Sequence, residues 1–273
     1  MPDIDLHASG RVERGRATAG PESPEPDRPA FALPRVMGHR GAAAVAPENT
    51  LVGLRTAAAM GMTWVEFDVM LSGDGVPVLF HDDNLKRITG RKVAMAKTPF
   101  AELAQLEAGA WFAPGFIGEP IPSLEQALAL AVELGITPNI EIKPTPRRDA
   151  ATAVAVAETV VRCWPGDRPG PMISSFSRQA LTIVRDRVPA LPRGLIAWRL
   201  PRDWEAAAAA LECASLHLRG LRLRAKTAAK IKRAGYQLAA FTVNDPKKAR
   251  RLIGFGVDCI ITDRPDVIAA ALG

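Results

Sequence analysis

The run Trp64-Val65-Glu66-Phe67-Asp68-Val69-Met70-Leu71-Ser72-Gly73-Asp74-Gly75-Val76-Pro77-Val78-Leu79-Phe80-His81 decides how this chain is read. Side chains two apart on a strand share a face. Val65, Phe67 and Val69 therefore form one apolar face, and Glu66 and Asp68 project together from the other. Residues 76–81 read as a further strand, but only Ser72-Gly73-Asp74-Gly75 separates them from the first. A link that short makes a hairpin, because a parallel crossover takes about a dozen residues or more. Residues 76–81 are thus an excursion from the strand that carries Glu66 and Asp68.

Outward from this run, short apolar stretches alternate with helical ones. Strands are expected over 36–39, 64–69, 138–143, 172–175, 193–197, 214–218, 237–243 and 258–262, with helices between them, as at 51–60, 124–134, 150–162 and 204–211. Asn49 or Thr50 is placed to cap the first helix and Ser123 the second. Alternating strands and helices argue for an α/β fold with a parallel sheet. Eight strands close a (β/α)₈ TIM barrel, and 273 residues, 48% of them hydrophobic, suffice for one such domain. The hairpin, and a long connection from 82 to 122 holding Trp111, Phe112, Pro114 and Gly115, follow the second barrel strand. Barrels carry their specificity loops at strand C-termini.

The barrel domain spans 35–273. Residues 1–34 differ: the Pro-rich stretch 20–29 holds neither a helix nor a central strand, so the segment reads as a disordered tail. It has no apolar h-region of a secretory signal. Cys163, Cys213 and Cys259 are scattered through apolar segments, which fits reduced thiols and a cytoplasmic protein. No run of about 18 apolar residues exists to insert in a membrane. The net charge is +6, but its cations sit mostly on helices, as at 226–233 and 247–251, without interleaved aromatics. That pattern is a solvated surface rather than a nucleic-acid interface, and it suits a small anionic substrate.

Polar residues gather where apolar strands end. The first strand ends in Gly38-His39-Arg40-Gly41, the third carries Glu141 and Lys143, and the hairpin ends in His81-Asp82-Asp83. An exposed face is the plain explanation of a lone Glu-x-Asp pair, but a parallel barrel strand has no solvated face. Glu66, Asp68 and Glu141 converging at one mouth repel one another unless a cation neutralises them, and an all-oxygen set suits Mg²⁺ or Ca²⁺. Two of the four histidines, His39 and His81, reach the same mouth and suggest a general base and a general acid. His217 also lies late in a strand, where packing or a local hydrogen bond is its plainer role. Arg40 and Lys143 offer cations for a phosphate. No Gly-x-x-x-x-Gly-Lys-Ser/Thr loop occurs, so nucleoside triphosphate binding by such a loop is not indicated.

These residues, in this order, resemble a known family. His39-Arg40-Gly41, Pro47-Glu48-Asn49-Thr50, Val65-Glu66-Phe67-Asp68-Val69, Asp74-Gly75, Phe80-His81-Asp82 and Asn139-Ile140-Glu141-Ile142-Lys143-Pro144 are similar to the signature of glycerophosphodiester phosphodiesterases. Ser174-Ser175-Phe176, Thr242-Val243-Asn244 and Thr262-Asp263 resemble its later strand ends. Leu191-Pro192-Arg193-Gly194-Leu195, Asp203-Trp204 and Ser215-Leu216-His217-Leu218 are closer to its cytosolic bacterial branch. The resemblance covers 35 to about 270. It implies a metal held by Glu66, Asp68 and Glu141, acid–base catalysis by His39 and His81, a phosphate held by Arg40 and Lys143, and Glu48 orienting the site. Two positions depart from the pattern: Phe241, where many members carry Trp, and Arg219, where the cytosolic branch tends to have Asn. Phe241 keeps an aromatic wall without an N–H donor. Both bear on the fit of the alcohol.

The implied reaction, in glycerol and lipid metabolism, converts a glycerophosphodiester and water to glycerol 3-phosphate and an alcohol, with short water-soluble head groups preferred. Three alternatives were weighed: a lysophospholipase D acting on single-chain lipids over a rim of Trp111, Phe112 and Phe116, a non-catalytic phosphoester-binding barrel, and a metal-dependent barrel acting on enolates. None of these motifs specifies the alcohol, the metal, the first nucleophile or the oligomeric state.

Overall fold

A computed structural model describes residues 31–273. Its nine strands are β1 (Val36–Gly38), β2 (Trp64–Leu71), β3 (Pro77–Leu79), β4 (Thr137–Ile142), β5 (Met172–Ser175), β6 (Arg193–Ala197), β7 (Ser215–Arg219), β8 (Gln237–Phe241) and β9 (Cys259–Thr262). Eight run parallel in the order β1-β9-β8-β7-β6-β5-β4-β2, and a β1–β2 pairing closes the barrel. β3 pairs antiparallel with β2, Met70 opposite Val78, as the short Ser72–Gly75 link demands.

Three barrel strands stop short of their expected ends: β8 at Phe241, and β1 and β4 each one residue before a candidate site residue. β1 finishes at Gly38, although the His39 N–H still donates to the Thr262 carbonyl at 2.8 Å. β4 finishes at Ile142, with the Lys143 N–H on the Val69 carbonyl at 3.0 Å. At β1 and β4 the chain leaves the sheet at a residue from which the sequence expects chemistry, His39 and Lys143. Gly41 shows why the first turn is so tight: its φ is +89°, and a Cβ there would stand 2.7 Å from the Gly53 carbonyl carbon.

Strand residues alternate between two environments. Val65, Phe67, Val69, Ile140, Ile142, Ile173, Leu216 and Ile260 face the helices and form the main core. Met37, Ala239, Cys259 and Ile261 pack together in a separate cluster inside the barrel. The excursion has an apolar core of its own, in which Met70, Val78, Phe80, Leu85, Ile88, Met95 and Leu103 are buried, so the hairpin and the connection after it are held as one body against β2. Thr50 caps the helix Leu51–Ala59, accepting from the Gly53 N–H, and Ser123 with Gln126 forms a reciprocal capping box on Leu124–Leu134.

The expected tail lies outside the described residues up to 30. Residues 31–34 are described: the Leu33 N–H donates to Gln237 Oε1 at 2.6 Å, and the Phe31 ring meets Trp64 edge-on at 5.8 Å. Among the described residues, no helix is long and apolar enough to cross a membrane. No disulfide joins Cys163, Cys213 or Cys259.

Candidate active site

β2 and β4 pair in register, Glu66 beside Asn139 and Asp68 beside Glu141. That register sets Asp68 and Glu141 side by side, with Glu66 two residues earlier on the same face of β2, and their ligand oxygens all lie within 4.8 Å of one another. Glu66 and Asp68 are almost fully buried. Burial and the nearby charges of Asp68 and Glu141 push the Glu66 carboxyl well up. Burial, with Asp68 beside it, lifts Glu141 to about 8. Burial acts the same way on Asp68, but Arg40, His81, Lys143 and the amide of Asn49 outweigh it and hold that carboxyl low.

The triad fits a hard cation. Glu66 Oε2 accepts from the Arg40 backbone N–H at 3.0 Å, whereas its buried Oε1 has no partner among the described residues. Asp68 is oriented by two hydrogen bonds to Asn49, whose Nδ2 donates to Oδ2 at 3.0 Å and whose Oδ1 accepts the Asp68 N–H at 3.1 Å. A set of carboxylates with an orphaned, buried oxygen is suited to Mg²⁺ or Ca²⁺.

Two histidines flank the triad, each tied through Nδ1 to a carboxylate. His39 Nδ1 is 2.6 Å from Asp263 Oδ1, and His81 Nδ1 is 2.7 Å from Asp82 Oδ1. This leaves Nε2 of each ring as the atom free to exchange a proton. His39 Nε2 stands 3.9 Å from Glu66 Oε2. Asp263 is held in turn by Asn244, whose Nδ2 donates to its Oδ2 at 2.6 Å. Burial and the cations Arg40 and Lys143 lower the His81 pKa against the opposing pull of Asp68 and Asp82.

The cations form a chain. Arg40 donates to Glu48 Oε1 at 2.7 Å, and its Nε lies 3.0 Å from Asp68 Oδ2. Glu48 also accepts two bonds from Arg87, at 2.7 and 2.8 Å. Arg87 then reaches Asp82, its Nε donating to Oδ2 at 2.7 Å, which with the His81 bond drops Asp82 to about 2 in spite of burial. Lys143 Nζ lies 4.0 Å from Asp68 Oδ1.

A pocket of about 260 Å³ opens over these groups, lined by His39, Arg40, Asp68, His81, Glu141 and Lys143 on one side. Phe176, Trp198, Arg219, Phe241 and Thr242 line the other. The structure therefore brings together all nine residues singled out in the sequence: seven line the pocket, Glu66 completes the triad and Glu48 backs Arg40. His217 sits apart from this pocket. It is buried in the barrel with Nε2 3.0 Å from Ser215 Oγ, and burial lowers its pKa to about 4.

Sequence reading missed Arg87, Trp198 and the orienting roles of Asp263, Asp82 and Asn244. Asp263 and Asn244 follow β9 and β8 in recognisable motifs, but their meeting with His39 depends on barrel closure. Phe241 stands in an aromatic wall with Phe176 and Trp198. Trp111, Phe112 and Phe116 pack on one another, with ring centroids 5.7 and 5.4 Å apart, and Arg87 lies over Trp111 at 5.7 Å. They brace the excursion; the rings lining the pocket are Phe176, Trp198 and Phe241.

Residues 39–267 match the model of the glycerophosphoryl diester phosphodiesterase family. The chain is 31% identical over 236 residues to a glycerophosphodiester phosphodiesterase of Caldanaerobacter subterraneus, covering 85% of this chain and 95% of that one. Its fold is similar to that of an Oleispira antarctica phosphodiesterase solved with the product sn-glycerol-3-phosphate, at 40% identity and a TM-score of 0.85, covering 88% of this chain and 97% of that one. It is also similar to a glycerophosphodiester phosphodiesterase structure from Agrobacterium tumefaciens, at 26% identity and a TM-score of 0.71, covering 87% and 100% of the two chains. With the family model spanning the barrel and its loops, the chain belongs to the glycerophosphoryl diester phosphodiesterase family.

Proposed function

We propose that this protein hydrolyses glycerophosphodiesters to glycerol 3-phosphate and a free alcohol, with Glu66, Asp68 and Glu141 holding Mg²⁺ or Ca²⁺. The observation that carries the reading is one pocket in which two carboxylate-tethered histidines stand on either side of an acidic triad. A cation held there would supply charge stabilisation to the reacting phosphodiester. Arg40 and Lys143 hold the remaining phosphoryl charge, Arg40 being fixed by Glu48.

His39 acts as the base, taking on Nε2 the proton of the attacking group, which is either water or the glycerol 2-hydroxyl; in the second case a cyclic phosphate forms as the alcohol leaves, and a water then opens it to glycerol 3-phosphate. Asp263 steadies the imidazolium that forms. His81 acts as the acid, passing its Nε2 proton to the departing alkoxide, with Asp82 fixing the ring. A pocket of about 260 Å³ supports a small head group. Three cysteines that are not joined in disulfides support a cytoplasmic location.

A panel of glycerophosphodiesters assayed for glycerol 3-phosphate tests the reading. Release from glycerophosphocholine, -ethanolamine and -glycerol supports it, and a tenfold preference for lysophospholipids over glycerophosphocholine overturns it in favour of a lipase.

A further inference from the structure

The pocket does not end at the reacting groups. Trp198 and Arg219 also line an adjoining cavity of about 370 Å³, whose other charged residues are Arg199, Arg222 and Arg224. Leu223 joins that cavity to a third, of about 340 Å³, bearing Lys247, Lys248 and Arg251. Across both outer cavities Asp245 is the one acidic lining residue, and its side chain is engaged by the Lys248 backbone N–H at the start of its helix.

These arginines differ from those elsewhere on the barrel. Arg55, Arg91, Arg162, Arg178 and Arg187 each pair with a carboxylate across the surface. Among the described residues, Arg199, Arg219, Arg222 and Arg224 have no acidic partner. Unpaired cations crowded around concave surface raise the local concentration of anions. The crowding shows at Lys248, whose pKa is lowered by burial and by Arg251 and Arg219, against the pull of Asp245.

A substrate whose phosphate is held by Arg40 and Lys143 sends its two arms in different directions. The glycerol arm, rich in hydroxyls, matches the carboxylate side formed by β2 and β4. The alcohol arm meets Phe176, Trp198, Phe241 and Arg219. Three rings invite a quaternary ammonium. That seat is already taken, however: the Arg219 guanidinium lies over the Trp198 ring at 5.6 Å. The protein's own cation repels an alcohol bearing a positive charge and presents its free N–H donors to a negative one.

We infer that the arginine-lined cavity beyond β6 and β7 is a second anion subsite, which selects diesters whose alcohol itself carries a phosphate. The inference rests on the hydrolase reading above. Arg219 is the hinge of this selection, since it belongs to both the reacting pocket and the outer cavity. Arg222 and Arg224, exposed at the start of the helix Ala225–Arg233, extend the subsite outward.

A matched pair of diesters tests it: glycerophosphoglycerol, and the same molecule with a phosphate on its far primary hydroxyl. Diester loss is followed by phosphorus NMR at fixed free Mg²⁺, so both substrates are read by one signal. The phosphorylated diester should be turned over with at least about tenfold higher kcat/KM, the advantage shrinking as salt shortens the reach of surface charge. Arg219→Gln, and separately Arg222→Gln with Arg224→Gln, should each lower that ratio. Because each ratio is taken within one protein, partial loss of folded enzyme does not alter it. Equal efficiencies in the unaltered protein, or a ratio unmoved by both sets of substitutions, overturn the subsite while leaving the hydrolase reading intact. Turnover of neither diester overturns the hydrolase reading and the subsite with it.

Discussion

Asp263 stands 2.6 Å from His39 although 224 residues separate them. The contact exists because β9 pairs with β1, Thr262 opposite Gly38, so that the residue after each strand emerges at the same point of the barrel mouth. Asp263 is held low by the His39 bond and by Asn244 and Arg40, against burial. Replacing it by Asn leaves the shape and removes the charge that steadies an imidazolium. Asp263→Asn should lower kcat by about 10²-fold with a smaller change in KM, within the range for acid–base contributions. A variant with unchanged kcat would show that His39 works without its carboxylate.

The two histidines separate by leaving group. p-Nitrophenolate departs without a proton, so a glycerophosphodiester of p-nitrophenol bypasses the acid. On glycerophosphocholine both His39→Ala and His81→Ala should lose about 10²–10⁴-fold in kcat. On the nitrophenyl diester His81→Ala should recover most of its rate and His39→Ala should not. The opposite rescue would reverse the two roles.

Much of this site was legible before any coordinates. Glu66, Asp68, Glu141, His39 and His81 were readable because strand periodicity and apolar neighbours leave polar residues one place to point. The hairpin followed from the length of a four-residue link between two apolar runs. What was hidden depends on closure and side-chain reach. Asp82 follows His81 directly, yet only its bond to Nδ1 and its contact with Arg87 give it a role. Arg87 lies on a four-residue helix whose position relative to Glu48 no periodicity could foretell. Trp198 was hidden because aromatic content says nothing about which rings the loops of a barrel turn inward.

The acidic triad carries a stability signature. Three buried carboxyls without a cation repel one another, which is why Glu66 and Glu141 are raised. In excess chelator Glu66→Gln should therefore melt no lower than the unaltered protein. Adding Mg²⁺ or Ca²⁺ should raise Tm of the unaltered protein, by a free energy of about 2.7 kcal/mol at a hundredfold excess over Kd. The variant should gain much less. Differential scanning fluorimetry reads both, and equal gains would place the cation elsewhere.

His217 sets part of the acid limit. Its pKa falls from 6.5 to about 4 on folding because it is buried. The unfolded chain binds a proton there as pH falls through 6.5 and the folded chain does not, so this group removes stability on acidification and has no effect well above that pH. Between about pH 7 and about pH 5 the loss from this residue should be about 2 kcal/mol. Urea unfolding of His217→Asn at the two pH values should show a loss smaller by that amount. An identical pH dependence would mean that His217 is protonated inside the barrel.

The most direct measurement is glycerol 3-phosphate release from glycerophosphoglycerol by protein stripped of metal, then titrated with Mg²⁺ or Ca²⁺, in parallel with Glu141→Gln. The account predicts no release without cation, saturable recovery with it, and no recovery in the variant. Full turnover in excess chelator, or recovery in Glu141→Gln equal to that of the unaltered protein, would contradict it.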